Sequence, residues 1–348
     1  MQAVTFQGKK NVKYETVAEP ILEQPTDAIV KVHLAGICGS DLHPYHEREK
    51  GLDAGTVMGH EFVGEIVECG KDVRRFKAGQ RVCCPFTTNC GVCYYCRIGL
   101  TCRCVHGQLF GWRSQGAGLH GGQAEYVRVP LADTTLLEIP ENVSLPAALL
   151  LGDVLSTGFF CAENAGVAAG HTCAVLGCGP VGLMAVIAAR ELGAGQLFAI
   201  DEVPERLQLA EKFGATPVNF QLHPPQEIIE AATEGRGADT VLEVVGNAAA
   251  ARAAFELIRS GGVISTVGVH TETDMAFSPG QAYDKNLTYK NGRCPARYYM
   301  EKLLPLLQKE AYEFTAVITH HLPLANGAKG YQLFDEKKDR CIKAVLHT

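Results

Sequence analysis

Over about the first 140 residues, apolar and polar positions form short blocks. Runs such as AIVKVHLAGIC, GEIVECG, RVCCPF and AEYVRVP have the length and β-branched content of strands, and Gly, Pro and Asp punctuate them. This predicts a β-rich domain. After LEIPENVSLPAALL the pattern changes. TCAVLGCGPVG is an apolar strand ending in glycines, and PVGLMAVIAARELGAG carries an apolar helical pattern closed by Gly. QLFAID and VPERLQLAEKFGA repeat the pair, and ADTVLEVVG and GGVISTVGV add strands flanking a helical NAAAARAAFELIRSGG. Strands alternating with helices of this length predict an α/β fold with a doubly wound parallel sheet covered on both faces. From about residue 290 the alternation fades, leaving an amphipathic helix in YYMEKLLPLLQKE and a strand in CIKAVL. The expected domains are residues 1–153, then 154–290, with 291–348 returning to the first.

Composition narrows the class. A chain of 348 residues is long enough for two domains, and 47% apolar with 20% charged residues suits a globular protein. No apolar run reaches ~18 residues, so no membrane span is expected. The start MQAVTFQGKK lacks the basic-then-apolar order of a secretory signal, which makes the cytoplasm the expected location. A net charge of −6 argues against a nucleic-acid partner. Fourteen cysteines are many for a chain in a reducing compartment, and metal binding is the first explanation to test.

GCGPVG fits G-x-G-x-x-G with Gly177, Gly179 and Gly182, and it lies between a predicted strand and a predicted helix. In that context the glycines permit a tight turn and close approach of a pyrophosphate, which sits at a helix N-terminus opened by Pro180 and Val181. Asp201, 19 residues beyond Gly182, is placed to accept hydrogen bonds from both ribose hydroxyls and to repel a 2′-phosphate, favouring NAD over NADP. Arg206 weakens that preference, since it can serve a 2′-phosphate if Asp201 turns away.

CGVCYYCRIGLTCRC spaces Cys90, Cys93, Cys96 and Cys104 as a closed four-thiolate zinc site, a lobe over 90–104 that stabilises without performing chemistry. Cys102 is an alternative to Cys104 as the last ligand. A zinc ribbon gripping nucleic acid conflicts with the acidic chain. A second constellation lies in GICGSDLHPY and GTVMGHEFVGEIVECG, with Cys38, Ser40, Asp41, His43, His60 and Glu61. LLLGDVLSTG raises a separate question, because Asp153 sits among apolar residues where an unpaired charge is costly. It either caps a helix starting at Val154 or meets a cation.

The motifs GHEFVGEIVECG, CGVCYYC…C, GDVLSTG and GCGPVG resemble those of the zinc-containing medium-chain alcohol dehydrogenases, in the family's order over nearly the whole chain. The similarity is closest to the bacterial secondary-alcohol and formaldehyde dehydrogenase branches, in which Asp replaces Cys as the third zinc ligand; FGWRS and NGRCP also resemble those branches. The resemblance implies a β-rich GroES-like catalytic domain with a Rossmann domain. It implies Cys38, His60 and Asp153 as catalytic zinc ligands, Glu61 as an acid that enters the coordination sphere in some members, and Asp41 as the carboxylate orienting the histidine. Ser40 matches the relay hydroxyl, with His43 as an outer station near the ribose and solvent. Thr157, Val245, Val267 and Val269 match positions against the nicotinamide, although apolar residues there would serve a core equally well. Trp112 matches a bulky pocket wall, or packs a loop.

The implied activity is NAD-dependent oxidation of small primary or secondary alcohols, with two zincs per chain and a homo-oligomeric, preferably tetrameric, assembly. A polyol or formaldehyde dehydrogenase on the same scaffold is the nearest alternative. A zinc-free enone reductase would lack the ligand set, and a nucleotide-binding redox sensor or structural protein leaves Asp153 and Ser40 without purpose. The Asp-ligand secondary-alcohol enzymes often lack the four-cysteine lobe and prefer NADP, so their substrate does not transfer.

Overall fold

The computed structural model describes residues 1–309 and 311–348 and divides into two compact units, Met1–Ser156 with Pro295–Thr348, and Thr157–Cys294. The division therefore falls at 156/157 and 294/295, a few residues beyond the boundaries drawn at 153 and 290.

The first unit is built on a seven-stranded sheet. Its path runs Ile318–Pro323, Lys343–His347, Ala28–Gly36, Phe62–Cys69, Arg81–Cys84 and Leu137–Glu138, with Tyr126–Val129 also paired to Ala28–Gly36. Ala28–Gly36 is the hub because it is paired along both edges and buried on both faces for most of its length, so it is apolar almost throughout. Val30, Val32, Phe62, Ile66, Val82 and Val127 fill one core, in which Phe62 meets Phe110 edge-on at 5.1 Å. A hairpin of Gln2–Phe6 and Val12–Thr16, which the apolar pattern does not announce, packs Val4, Phe6 and Val12 into a second core with Ile37, Tyr331 and Phe334. Helix Ala296–Gln308 begins two residues ahead of its predicted start and buries Ala296, Tyr299, Met300, Leu303 and Leu307, a helical stripe that tolerates Pro305. The predicted end of that helix at Glu310 lies outside the described residues.

The second unit is a six-stranded, all-parallel sheet in the order Thr216–Asn219, Gln196–Asp201, Thr172–Leu176, Ala238–Glu243, Ile258–Thr266, Thr288–Asn291. In chain order this is 3-2-1-4-5-6, the doubly wound Rossmann arrangement, with its switch point between Thr172–Leu176 and Ala238–Glu243. One prediction is corrected here. Helix Ala248–Leu257, capped by the Asn247 side chain accepting from Ala250 N at 2.8 Å, stops at Leu257, and the next strand starts at Ile258 rather than Gly261. A register shift in the pairing with Ala238–Glu243 absorbs the extra residues, and Gly261 at φ +72° cannot continue a helix. Among the described residues no single helix is long and apolar enough to cross a membrane.

Candidate metal centres and dinucleotide site

Cys38 follows the end of the hub strand, and His60 and Glu61 precede Phe62–Cys69. The antiparallel pairing Ala35↔Phe62 and the bond from Gly36 N to Glu61 O, 2.9 Å, bring these ends together. Asp153 arrives from elsewhere. Helix Leu145–Leu151, capped by Ser144, buries Leu149, Leu150 and Leu151, and the chain then bends by 41° before helix Val154–Ala165. The leucine run is thus the buried side of a short helix, and the bend aims the carboxylate out of it. Asp153 Oδ2 lies 3.5 Å from Cys38 Sγ and 3.3 Å from His60 Nε2.

Ligand atoms of Cys38, His60, Glu61 and Asp153 all lie within 4.8 Å of one another. Such a set is uncomfortable without a cation. Burial, then the charges of Asp153 and Glu61, push the Cys38 thiol up to about 11. Burial lowers the His60 pKa, but Asp41, Cys38 and Asp153 outweigh it and hold the imidazole well above its ordinary value. Glu61 Oε1 is buried without a hydrogen-bond partner. Thiolate, imidazole and carboxylate together are the donor set of a catalytic zinc with an open position, so the residues fit that ion.

The surrounding shell has a clear purpose. His60 Nδ1 is 3.1 Å from Asp41 Oδ1, which fixes a proton on Nδ1 and turns Nε2 towards the cluster, where a bound cation would take its lone pair in place of a second proton. Asp41 is held in turn by Cys38 N at 3.0 Å and by Gln123 Nε2 at 3.4 Å; Gln123 Oε1 accepts from the buried Tyr331 hydroxyl at 3.0 Å. Ser40 Oγ lies 3.4 Å from Cys38 Sγ and 3.2 Å from His60 Nε2. His43 corrects an expectation: it is buried in the short helix Leu42–Tyr45 and does not face solvent. Trp112 is half-buried and opens the hairpin of Trp112–Ser114 and Ala117–Leu119, and the preceding Gly111 backs onto Gly59, beside His60.

Lys343 escaped notice in the sequence. It is fully buried on the strand beside the hub, with Nζ 2.5 Å from Glu61 Oε2, and it donates to Ile37 O at 3.4 Å. Its signal was available: a lysine inside the apolar CIKAVL poses the same question as Asp153. Gln123 and Tyr331 carry no such signal, because a glutamine in GGQAEY and a tyrosine on an amphipathic helix have ordinary uses.

Cys90, Cys93, Cys96 and Cys104 form the other cluster within 4.8 Å, whereas Cys102 is absent from it and buried. Cys104 Sγ accepts from Cys90 N at 3.2 Å and His106 N at 3.4 Å. Backbone N–H groups of Cys96 and Val105 pull the Cys93 thiol down to about 6. Burial pushes the Cys96 and Cys104 thiols up instead, so the four sulfurs cannot all be thiolates without a cation among them, and their number and spacing fit a structural zinc.

In the second unit, Gly177, Cys178 and Gly179 turn between strand Thr172–Leu176 and helix Pro180–Glu191, whose first residue is Pro180. A Cβ on Gly182 would fall 1.8 Å from Gly177 O, so the turn closes only with glycine there. Gly179, Pro180 and Val181 stand half-buried at the helix N-terminus. Asp201 is buried, and three backbone groups already donate to it: Cys178 N at 2.7 Å to Oδ2, and Glu202 N and Val203 N at 2.8 and 2.9 Å to Oδ1. A carboxylate has about four acceptor positions. Asp201 therefore has room for about one ribose hydroxyl, not two. Arg206 Nη1 lies 3.7 Å from Asp201 Oδ2. Thr157 is buried in helix Val154–Ala165, and Val267 is half-buried just past the end of Ile258–Thr266. Val245 and Val269 are 44% and 43% exposed, so they are not core.

Residues 24–141 match the family described as alcohol dehydrogenase GroES-like domain, and residues 180–309 match zinc-binding dehydrogenase. Zinc-type alcohol dehydrogenase B of Aspergillus flavus is 40% identical over 346 residues, covering 97% of this chain and 79% of that protein. The NADP-dependent isopropanol dehydrogenase of Thermoanaerobacter brockii is 34% identical, covering 92% and 93%. Among solved structures, alcohol dehydrogenase TADH from Thermus sp. ATN1 superposes with a TM-score of 0.93 at 39% identity, over 100% of this chain and 99% of that one.

Proposed function

The chain belongs to the zinc-containing medium-chain alcohol dehydrogenase family, and from that premise we infer that it oxidises small primary or secondary alcohols with NAD. One observation carries the reading: thiol, imidazole and two carboxylates from distant parts of the chain converge within 4.8 Å beside a serine hydroxyl. Cys38, His60 and Asp153 would hold the catalytic zinc, with Glu61 in reserve, and Cys90, Cys93, Cys96 and Cys104 a structural one. When bound, zinc lowers the pKa of a hydroxyl towards neutrality and the nicotinamide accepts hydride. The chain's own residues do the rest. Asp41 fixes the His60 tautomer, and Ser40 Oγ stands where a substrate hydroxyl proton must leave, so it is assigned to take that proton and pass it on. His43 is the next station, inside the protein.

NAD over NADP is supported by the Asp201 carboxylate, which is fixed by three backbone donors and cannot readily turn away; Arg206, 3.7 Å from it, is a cation that works the other way. A 2′-phosphate would meet that fixed negative charge. Association of copies is supported by the second unit's sheet, whose terminal strand Thr288–Asn291 pairs along one edge only among the described residues; a tetramer is what the family resemblance implies.

A panel of alcohols offered with NAD and NADP, read by reduced-cofactor absorbance before and after chelation, tests the reading. Small alcohols should reduce NAD faster than NADP, chelation should abolish turnover, and zinc should restore it. Undiminished turnover in zinc-free protein would overturn the assignment.

A further inference from the structure

Glu243 ends strand Ala238–Glu243 with its side chain wholly buried. Its Oε1 accepts from Val245 N and Gly246 N, both at 2.8 Å, and its Oε2 lies 3.0 Å from His270 Nε2. The other ring nitrogen, His270 Nδ1, is 3.5 Å from Glu272 Oε2, and Glu272 Oε1 accepts from Ala248 N at 3.2 Å. The histidine thus bridges two carboxylates. One belongs to the floor of the sheet and the other to the loop after strand Ile258–Thr266, pinned to the start of helix Ala248–Leu257.

These bonds tie together the two strand-end segments that carry Val245 and Val269. Val267 N and Gly268 N donate to Glu243 O at 3.0 and 3.4 Å. The two backbones touch: a Cβ on Gly268 would fall 2.2 Å from Gly246 N. Val245 also leans over the glycine turn, its Cγ2 2.6 Å from where a Gly177 Cβ would stand. Two half-exposed valines at the carboxyl ends of adjacent parallel strands, next to the switch point, are where an open α/β sheet receives a ligand.

We propose that His270, clamped between Glu243 and Glu272, is a positioning residue for the nicotinamide half of the dinucleotide: it locks residues 267–272 onto Glu243 and so sets the apolar rim made by Val245 and Val269. The proposal rests on the reading of this unit as the dinucleotide site. The adenosine ribose is served by Asp201, which none of the bonds of the clamp reaches, so the two halves of the cofactor respond separately.

The test compares zinc-loaded wild type, His270→Ala and His270→Gln for binding of NADH and of ADP-ribose, which lacks the nicotinamide ring. His270→Ala should weaken NADH roughly tenfold, the scale of one hydrogen bond to a charged group expressed as loop order, and leave ADP-ribose within about twofold. His270→Gln, which can still donate to Glu243, should recover most of the loss. Equal losses for both ligands, no loss for either, or no recovery by glutamine would overturn the proposal. Wild type that binds neither ligand would instead sink the dinucleotide reading itself.

Discussion

Lys343→Met puts the charge balance of the metal cluster to a quantitative test. Lys343 and Glu61 are both fully buried, 2.5 Å apart. Burial pulls the lysine pKa down, yet the charge of Glu61, helped by Cys38 and Asp153, more than restores it. A raised lysine pKa means that the stability it contributes is complete below the unfolded value and is lost only as pH rises through the folded one; burial raises the Glu61 pKa as well, against the pull of Lys343, so the lysine is the partner whose charge is secured. Removing one partner of a buried pair leaves an uncompensated charge and costs about 3–5 kcal/mol, whereas replacing both by apolar groups of similar size is often neutral. In chelated protein, Lys343→Met should therefore lose about 3–5 kcal/mol, or roughly 6–20 °C in Tm for a unit of this size, while Lys343→Met with Glu61→Leu should return to within about 1 kcal/mol of wild type.

With zinc present the single variant should suffer less, because the Glu61 carboxylate lies within 4.8 Å of the other ligand atoms and has that cation in place of the lost ammonium. Urea unfolding followed by tryptophan fluorescence suits the question. Trp112 is the sole tryptophan and lies in the first unit, so its signal is not blurred by the second unit unfolding separately. If the single variant loses under about 1 kcal/mol, or the double variant is as unstable as the single, the two groups are not a mutually dependent buried pair.

Other expectations follow from the same geometry. Cys104→Ser should release one of two zincs by metal analysis, while Cys102→Ser should keep both; the reverse would reassign the last ligand of the lobe. Asp153→Asn should weaken zinc at the other centre and collapse turnover with much of the fold retained, and full turnover with two zincs bound would count against it. Asp201→Gly should raise the NADP-to-NAD ratio of kcat/KM by roughly tenfold or more, the worth of about 1.4 kcal/mol, and an unmoved ratio refutes the ribose argument. His120 is held down to about 4 by burial, then by Arg113 and Arg128, so its neutral form stabilises the fold above pH ~6.5 and that contribution fades as pH falls towards ~4. His120→Gln should flatten the stability–pH curve there by about 1 kcal/mol, a value discounted because the ring is exposed enough for solvent to screen the arginines.

The parts of this protein that the sequence discloses are those whose physics is local. The glycine turn and the four-cysteine lobe each depend on residues a few positions apart, and each lies where the pattern puts it; four of the six strands of the second unit are announced in the same way, while the short, partly exposed Thr216–Asn219 and Thr288–Asn291 are not. The hairpin of Gln2–Phe6 and Val12–Thr16 and the early start of Ile258–Thr266 do not follow local rules. One is stabilised by packing on Tyr331 and Phe334, from the far end of the chain, and the other by a register shift that only the neighbouring strand imposes.

The metal cluster stands between these cases. Cys38 and Asp153 are 115 residues apart, and no periodicity relates them; what betrayed Asp153 was its cost, a carboxylate set among leucines. The same criterion applied to every charge in an apolar run would have found Lys343, and Glu243 at the end of ADTVLE would have been next. Both are fully buried, and both hold a partner that a sequence motif does name or that sits beside one: Glu61 for the lysine, and the loop of Val245 for the glutamate. Gln123 escapes this test because an uncharged amide costs too little to stand out, although it supports Asp41 and through it His60. The legible fraction of a site is thus set by energy as much as by distance along the chain: the residues that would be most expensive if unpartnered are the ones a sequence can reveal.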